Sequence, residues 1–211
     1  PRKYTDIKGK YTEIETTLSL DDYPKVEGYD FGSDKDVKGG KVSDFNKFLE
    51  SYFSTGFQAT HLSNAIGIVN MMRKEEATIY LSFTSNIISS GLRDIIRFLV
   101  KNKHVHVLCT TAGGIEEDVI KCFKPFVIGS FDAPGKYLFD RGINRTGNIF
   151  VPNDRYLYFE DFINKFFEYV YKKQKNEGII YNSSELIKEL GLFLDSDESY
   201  LTWAARNNIR V

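Results

Sequence analysis

Thr78-Ile-Tyr-Leu-Ser-Phe-Thr-Ser-Asn-Ile-Ile-Ser-Ser-Gly91, followed by Leu92 to Lys101, Val105 to Leu108 and Cys109-Thr-Thr-Ala-Gly-Gly-Ile-Glu-Glu-Asp118, is the stretch that decides the fold. Thr78 to Phe83 alternates apolar and polar residues and is rich in β-formers, so it reads as a strand. Leu92, Ile95, Ile96 and Leu99 recur at helical spacing, with Arg93, Asp94, Arg97 and Lys101 on the other face. Val105 to Leu108 reads as a second strand. Ile115, Val119, Ile120 and Phe123 restart the helical period. Strand–loop–helix repeated twice is the pattern of a parallel α/β sheet. Loops at the carboxyl ends of neighbouring parallel strands share one crevice, where ligands bind. Thr84 to Gly91 and Cys109 to Asp118 should therefore face the same place.

The chain has 211 residues, 42% hydrophobic and 15% aromatic, enough for one sizeable domain or two small ones. A net charge of −1 gives no argument for nucleic acid or an anionic membrane as partner. No apolar run approaches the roughly 20 residues of a membrane span. The start is polar and charged, unlike a signal peptide. Cys109 and Cys122 read as reduced core thiols of a cytosolic protein. The cysteines and three histidines lack metal-ligand spacing; His104 and His106 read as a surface or strand-end pair.

Residues 1–27 are polar and weakly periodic and read as an N-terminal extension, with a turn at Asp21-Asp22-Tyr23-Pro24. A charged loop then runs to Gly39-Gly40. Ser43 or Asp44 is placed to cap a helix carrying Phe45, Phe48, Leu49 and Phe53 on one face. Ser54-Thr-Gly-Phe-Gln-Ala-Thr60 breaks it, and a second helix follows with Leu62, Ala65, Ile66, Val69 and Met72 inward. Phe123 to Gly129 is a candidate third strand. Gly142 to Asn153 holds two glycines and three asparagines, which tolerate left-handed turns. Tyr156 to Lys175 is a strong helix with Phe159, Phe162, Ile163, Phe166, Phe167 and Val170 on one wide face, ended by Gly178. Ser183 or Ser184 starts a short helix stopped by Gly191. Ser199 to Asn207 reads as a last helix with Trp203 buried. Asn208 to Val211 looks like the start of a strand, so the chain reads as half of something.

The two loops carry the chemistry. Main-chain N–H groups in a glycine-bearing turn at a helix start suit phosphate or pyrophosphate. Ser85, Asn86, Ser89, Ser90 and Thr111 add short hydrogen-bonding side chains, and Gly113 and Gly114 admit a ligand to the backbone. A dinucleotide fits, although the pattern is not Gly-x-Gly-x-x-Gly, and well-capped strand-to-helix turns account for the same residues. Glu116, Glu117 and Asp118 fall in the first helical turn, where acids complement the helix dipole. At the mouth of the crevice, Glu116 and Glu117 would instead attract a cation or a ribose hydroxyl. A nucleotide beside a carboxylate pair suggests chemistry on an amine.

These residues closely resemble the deoxyhypusine synthase family. The resemblance is carried by Ser54 to Thr60, Thr84 to Gly91, Thr110 to Asp118 with Ile120-Lys-Cys122, Gly142-Ile-Asn-Arg-Thr-Gly-Asn148 with Val151-Pro-Asn153, and Trp203-Ala-Ala-Arg-Asn-Asn-Ile209. It runs in order from about Gly28 to the C-terminus, so residues 28–211 read as the N-terminal part of an NAD-binding domain. It implies a Rossmann-like three-layer α/β sandwich with a parallel sheet, incomplete at the C-terminus, in a cytoplasmic tetramer with NAD sites at dimer interfaces. It implies oxidation of spermidine with NAD, passage of the aminobutyl group through an imine on an enzyme lysine, and transfer to a lysine of the translation factor 5A precursor. Positions matching the family's NAD contacts are Ser85, Asn86, Ile87, Ile88, Ser89, Thr111, Ala112, Gly113 and Glu117. Glu116 and Glu117 match the carboxylates that meet spermidine.

One departure qualifies the match. The family's chain continues past the position of Val211, and the imine-forming lysine lies in that portion. Lys121 and Lys124 are not in its motif, and Arg210 stands where the family usually has proline. No catalytic residue is assigned within this chain, which is expected to be inactive alone. The expectation is a chain that works with a complementary C-terminal half or with a full-length paralogue. The alternatives are a truncated piece, a non-catalytic regulatory subunit, and a homospermidine synthase-like relative.

Overall fold

The computed structural model describes residues 23–29, 37–38, 41–42 and 45–211. Most of the expected N-terminal extension, part of the turn at 21–24, most of the charged loop, and the capping pair Ser43 and Asp44 lie outside the described residues. The chain divides into two compact units, Pro1–Glu76 and Ala77–Val211.

In the first unit, β1 (Val37–Lys38) pairs antiparallel with β2 (Lys41–Val42), within the stretch expected to be loop. Three helices follow: α1 (Phe45–Glu50), α2 (Tyr52–Thr55) and α3 (Phe57–Lys74). Phe48 is the hub of an aromatic cluster, with Tyr29 at 5.5 Å and Tyr52 at 5.2 Å between ring centroids. The break between α2 and α3 is narrower than its sequence suggests. Gly56 alone interrupts, at φ 91°, and Phe57 follows at φ 51°. The Thr60 hydroxyl secures the corner by donating to the Phe53 carbonyl at 2.9 Å. The inward face expected for α3 is not covered: Leu62, Ala65 and Val69 are exposed, while Ile66 and Met72 are half-buried. Helical spacing identifies an apolar stripe, but burial requires another element to lie on it.

The second unit starts with β3 (Tyr80–Ser82), α4 (Ser85–Ser89), α5 (Leu92–Lys101), β4 (Val107–Cys109) and α6 (Ala112–Phe123). β3 and β4 are parallel, with Tyr80 opposite Val107 and Ser82 opposite Cys109. Arg210 bridges Val107 in the parallel sense, and the Leu108 N–H donates to the Arg210 carbonyl at 2.8 Å. Asn208 to Val211 thus borders β4, as its sequence suggests. The architecture is mixed α/β around a parallel pair.

The candidate third strand within Phe123 to Gly129 does form, but away from the parallel pair. β5 (Val127–Ile128) joins a separate antiparallel sheet with β6 (Ile143–Thr146) and β7 (Ile149–Pro152), in the order β5-β7-β6. Gly142 and Gly147 both take positive φ there, and Gly147 makes the hairpin turn. α7 (Gly135–Phe139) lies between β5 and β6. The unit finishes with α8 (Asp154–Glu177), α9 (Ser183–Leu194) and α10 (Tyr200–Asn207).

Local chemistry sets these helix ends. Gly178 closes α8 in the left-handed conformation. Asn182, rather than either serine, starts α9 through a capping box with Glu185. Gly191 does not stop that helix but lies inside it, against the Leu201 backbone of α10. Ser199 caps α10 by accepting from the Thr202 N–H.

The core joins Ile88, Ile96, Val100, Leu108, Val119, Phe166, Val170, Leu190, Tyr200 and Leu201 across α4, α5, β4, α6, α8, α9 and α10. Each such side chain contributes about 1.5–3 kcal/mol by leaving water. Several expected orientations are corrected. On α5 the buried stripe is Arg93, Ile96 and Val100, while Leu92 and Ile95 are exposed. Phe167 and Phe123 are also exposed. Trp203 is half-buried, its indole N–H donating to the Asp197 carbonyl at 3.0 Å. Cys109 is exposed and Cys122 half-buried, so only Cys122 resembles a core thiol.

Candidate functional site

The site is built at the carboxyl ends of β3 and β4. Those ends lie side by side, since the Phe83 N–H donates to the Cys109 carbonyl at 3.0 Å. Each strand then turns into a helix through a threonine of the same backbone shape: Thr84 and Thr111 both have φ −90° and ψ 164°. Neither hydroxyl caps its helix. The Gly114 N–H donates to the Thr111 carbonyl at 2.9 Å, while no side chain caps the Ala112 and Gly113 N–H groups, which keep their capacity to meet an anion.

The two joints touch. A Cβ on Gly113 would lie 3.0 Å from the Ser85 Cβ, closer than side chains normally pack. A Cβ on Gly114 would strike the Thr110 hydroxyl, whose oxygen is buried with no partner among the described residues. The glycines are thus required by close packing between the joints as well as by any ligand. The Gly114 carbonyl accepts from the Tyr200 hydroxyl at 3.1 Å, which anchors the second joint to α10.

The stretch from Ser85 to Ser89 is a single helical turn rather than the loop its sequence suggests. Within it, Ser85 and Ile87 are half-buried and Asn86 is exposed. Ile88 is in the core and Ser89 is buried, its hydroxyl donating to Glu117 Oε2. Ile88 can offer a ligand only main chain, and the Ser89 hydroxyl is already engaged. Thr111 and Ala112 are exposed; Gly113, Glu116 and Glu117 are half-buried. The structure therefore brings Ser85, Ser89, Gly113 and Glu117 into one neighbourhood.

The three acids part company. α6 begins at Ala112, which puts Glu116, Glu117 and Asp118 in its second turn and weakens the dipole explanation for them. Glu117 is held above the ordinary carboxylate range, first by burial and then by Glu116, against the Ser89 hydrogen bond and Lys121. Asp118 faces the core and is completely buried. It accepts from Arg93 Nε at 2.7 Å, the Ser199 hydroxyl at 2.5 Å and the Leu201 N–H at 3.3 Å. Asp118 is a structural keystone joining α5, α6 and α10.

Two neighbours were not among the expected site residues. Tyr156, at the start of α8, is pushed up by burial and then by Glu116 and Glu117. Lys121 reaches back from α6 to the carboxyl end of α4. Lys121 was detectable at one helical turn from Glu117; nothing in sequence links Tyr156 to the acids. Beside Ala112 and Glu116 opens a cleft of about 420 Å³, walled by Ile115, Phe159, Ile163, Phe167 and Ile187. Among the described residues, no cluster of three or more His, Cys, Asp or Glu could hold a metal, and no helix is long and apolar enough to cross a membrane.

Two parallel strands feeding two touching strand-to-helix joints, with the half-buried Glu117 carboxylate beside them, define the candidate site of a mixed α/β protein. The family model described as "DS: Deoxyhypusine synthase" matches residues 47–211. The deoxyhypusine synthase of Musa acuminata is 41% identical over 224 residues, covering 94% of this chain and 57% of that protein. The one from Arabidopsis thaliana is 41% identical over 212 residues, covering 89% and 55%. A crystal structure of an Entamoeba histolytica protein assigned as a deoxyhypusine synthase superposes with a TM-score of 0.58 at 30% identity, covering 88% of this chain and 62% of that one. The chain belongs to the deoxyhypusine synthase family. It spans somewhat over half the length of these relatives.

Proposed function

We propose that this chain supplies the NAD- and spermidine-binding half of a deoxyhypusine synthase, acting in the cytoplasm on the translation factor 5A precursor. The observation that carries the reading is the junction of the two joints, with Ser85 against Gly113 and Ser89 bonded to Glu117. Residues 28–211 would then be the N-terminal part of one NAD-binding domain, and the β3–β4–Arg210 arrangement the middle of a Rossmann-like sheet. The imine-forming lysine would come from outside residues 1–211, whether from further sequence of the same protein, a complementary polypeptide or a full-length paralogue, and the assembly would be a tetramer.

The residues present fit the dinucleotide. The open start of α6 suits a phosphate, Ser85, Asn86 and Thr111 offer hydrogen bonds, and Gly113 lets a ligand approach the main chain. NAD, when bound, supplies the acceptor for hydride and returns it at the end. The chain's own residues do the rest. Glu116 and Glu117 draw a cationic amine to the mouth of the crevice. Burial raises the proton affinity of Glu117, which suits it to hold a proton near the amine. The Ser89 hydroxyl fixes which carboxylate oxygen is committed to the protein, leaving the other for the substrate.

The test uses the native particle that contains this chain. It should bind NAD, and with radiolabelled spermidine it should label the factor precursor on lysine. Glu117→Ala should remove labelling. A particle that neither binds NAD nor transfers label would sink the proposal. Label passing to putrescine instead of the precursor would assign the chain to the homospermidine synthase-like alternative.

A further inference from the structure

Lys121 is half-buried on α6, and its ammonium group donates to three consecutive carbonyls: Ile88 at 2.9 Å, Ser89 at 3.1 Å and Ser90 at 2.9 Å. An ammonium group has three protons, so all are committed. The acceptors are the last two carbonyls of α4 and that of its cap residue Ser90, which also receives the Arg93 N–H at 3.4 Å; a helix of one turn leaves its last carbonyls without helical partners. The same α4 residue, Ser89, donates its hydroxyl to Glu117, one helical turn before Lys121 on α6. The main chain of Ser89 is thus held from below by Lys121 while its side chain holds Glu117 from above.

We propose that Lys121 is a positioning residue for the candidate site: it clamps α4 through three carbonyls, and the clamped Ser89 hydroxyl then aims the Glu117 carboxylate. This rests on the proposed function only in taking Glu117 to be the group that meets ligand.

The surroundings define the test. Glu117 is faced by Glu116 and Lys121 from its own helix, by Ser89 from α4 and by Tyr156 from α8. Lys121 is faced by Arg93 and Asp94 of α5 and by Glu117 and Asp118 of α6, and lies 5.6 Å from the Phe126 ring centre. Replacing Lys121 by methionine removes a cation near Glu117 and frees Ser89 to turn away. Both changes favour the protonated carboxyl, so the Glu117 midpoint should rise.

The experiment has two readouts on the wild type, Lys121→Met and Lys121→Arg. Carbon NMR of the Glu117 carboxyl follows its titration without cofactor, and titration with NAD gives the dissociation constant. The expected result is an upward midpoint shift of about half a unit or more in Lys121→Met, with roughly tenfold weaker NAD binding, and recovery of most of both in Lys121→Arg. A folded Lys121→Met with the wild-type midpoint and wild-type NAD affinity overturns the inference. If Lys121→Met fails to fold, Ser89→Ala removes the last link alone; an unmoved midpoint there overturns it equally. A midpoint that moves in a protein that does not bind NAD leaves the clamp standing and removes the proposed function.

Discussion

Replacing Asp118 by alanine should be among the most damaging single changes to this chain. The carboxylate is fully buried and receives Arg93 Nε, the Ser199 hydroxyl and the Tyr200 and Leu201 N–H groups. Burial works against the Arg93 charge, and Asp118 is the main group that outweighs it. With Asp118 gone, a guanidinium that is only 5% exposed loses its counter-ion. Removing one partner of a buried pair costs about 3–5 kcal/mol. The orphaned Ser199 hydroxyl and N–H groups act in the same direction, at about 1–3 kcal/mol each where water cannot reach them. A loss near the upper end of the pair value is expected. At about 2–4 °C per kcal/mol for a chain of this size, the melting temperature should fall by roughly 10 °C or more. Urea unfolding followed by circular dichroism measures the loss, and thermal melts check it. Asp118→Asn, which keeps the shape and one acceptor, should lose less. The double variant Arg93→Met with Asp118→Leu should be more stable than Asp118→Ala alone, because no charge is stranded. A loss under about 1 kcal/mol in Asp118→Ala would refute the keystone assignment.

The other predictions concern the joint, the thiols and the helix contact. A carboxyl held above its usual range when folded stabilises the fold below its unfolded pKa, and that stability is lost as pH rises through the folded value. Wild type should therefore lose stability as pH rises from 4.5 towards neutrality. Glu117→Gln should flatten that part of the profile and be at least as stable at pH 7; an unchanged slope in melts across this range counts against it. The Cys122 thiol is pushed up to about 11 by burial and then by Asp118. Iodoacetamide at pH 8, read by peptide mass spectrometry, should label exposed Cys109 first and reach Cys122 only on unfolding. Equal rates would contradict the burial. Gly191→Ala would set a Cβ 2.5 Å from the Leu201 carbonyl oxygen, so α9 and α10 must part. Denaturation should show a loss of about 1–3 kcal/mol, and a neutral result would mean that the contact relaxes freely.

Much of the site was legible because its elements are local. Thr78 to Asp118 alternates, turns and resumes helical spacing within short windows, and β3, α5, β4 and α6 form there. The adjacency of the two joints followed from the topology of parallel strands. What was not legible depends on partners distant in sequence. Arg93 looked like a surface charge because its counter-ion lies a helix away. Glu116 to Asp118 looked like one acidic turn because a run of residues does not show where its helix begins. Leu62 and Val69 looked like core because periodicity shows an apolar face and not what covers it. Phe123 to Gly129 was rightly apolar, but the strand it contains joined the nearby hairpin instead of the parallel pair.

The contacts of α10 carry a consequence for the order of assembly. The β6–β7 hairpin closes across a few residues. Ser199 meets Asp118 from 81 residues away, and Asn207 meets Val100 from 107. Contacts that close long loops form late, because their entropy cost comes before their reward. α10 should therefore dock after the rest of its unit has collapsed, and substitutions in it should speed unfolding while leaving the refolding rate nearly unchanged. The Tyr200 hydroxyl that holds the Gly114 carbonyl arrives with that helix. The glycine turn of the second joint thus acquires its final shape in the last kinetic step, so the formation of the Tyr200–Gly114 contact reports completed folding.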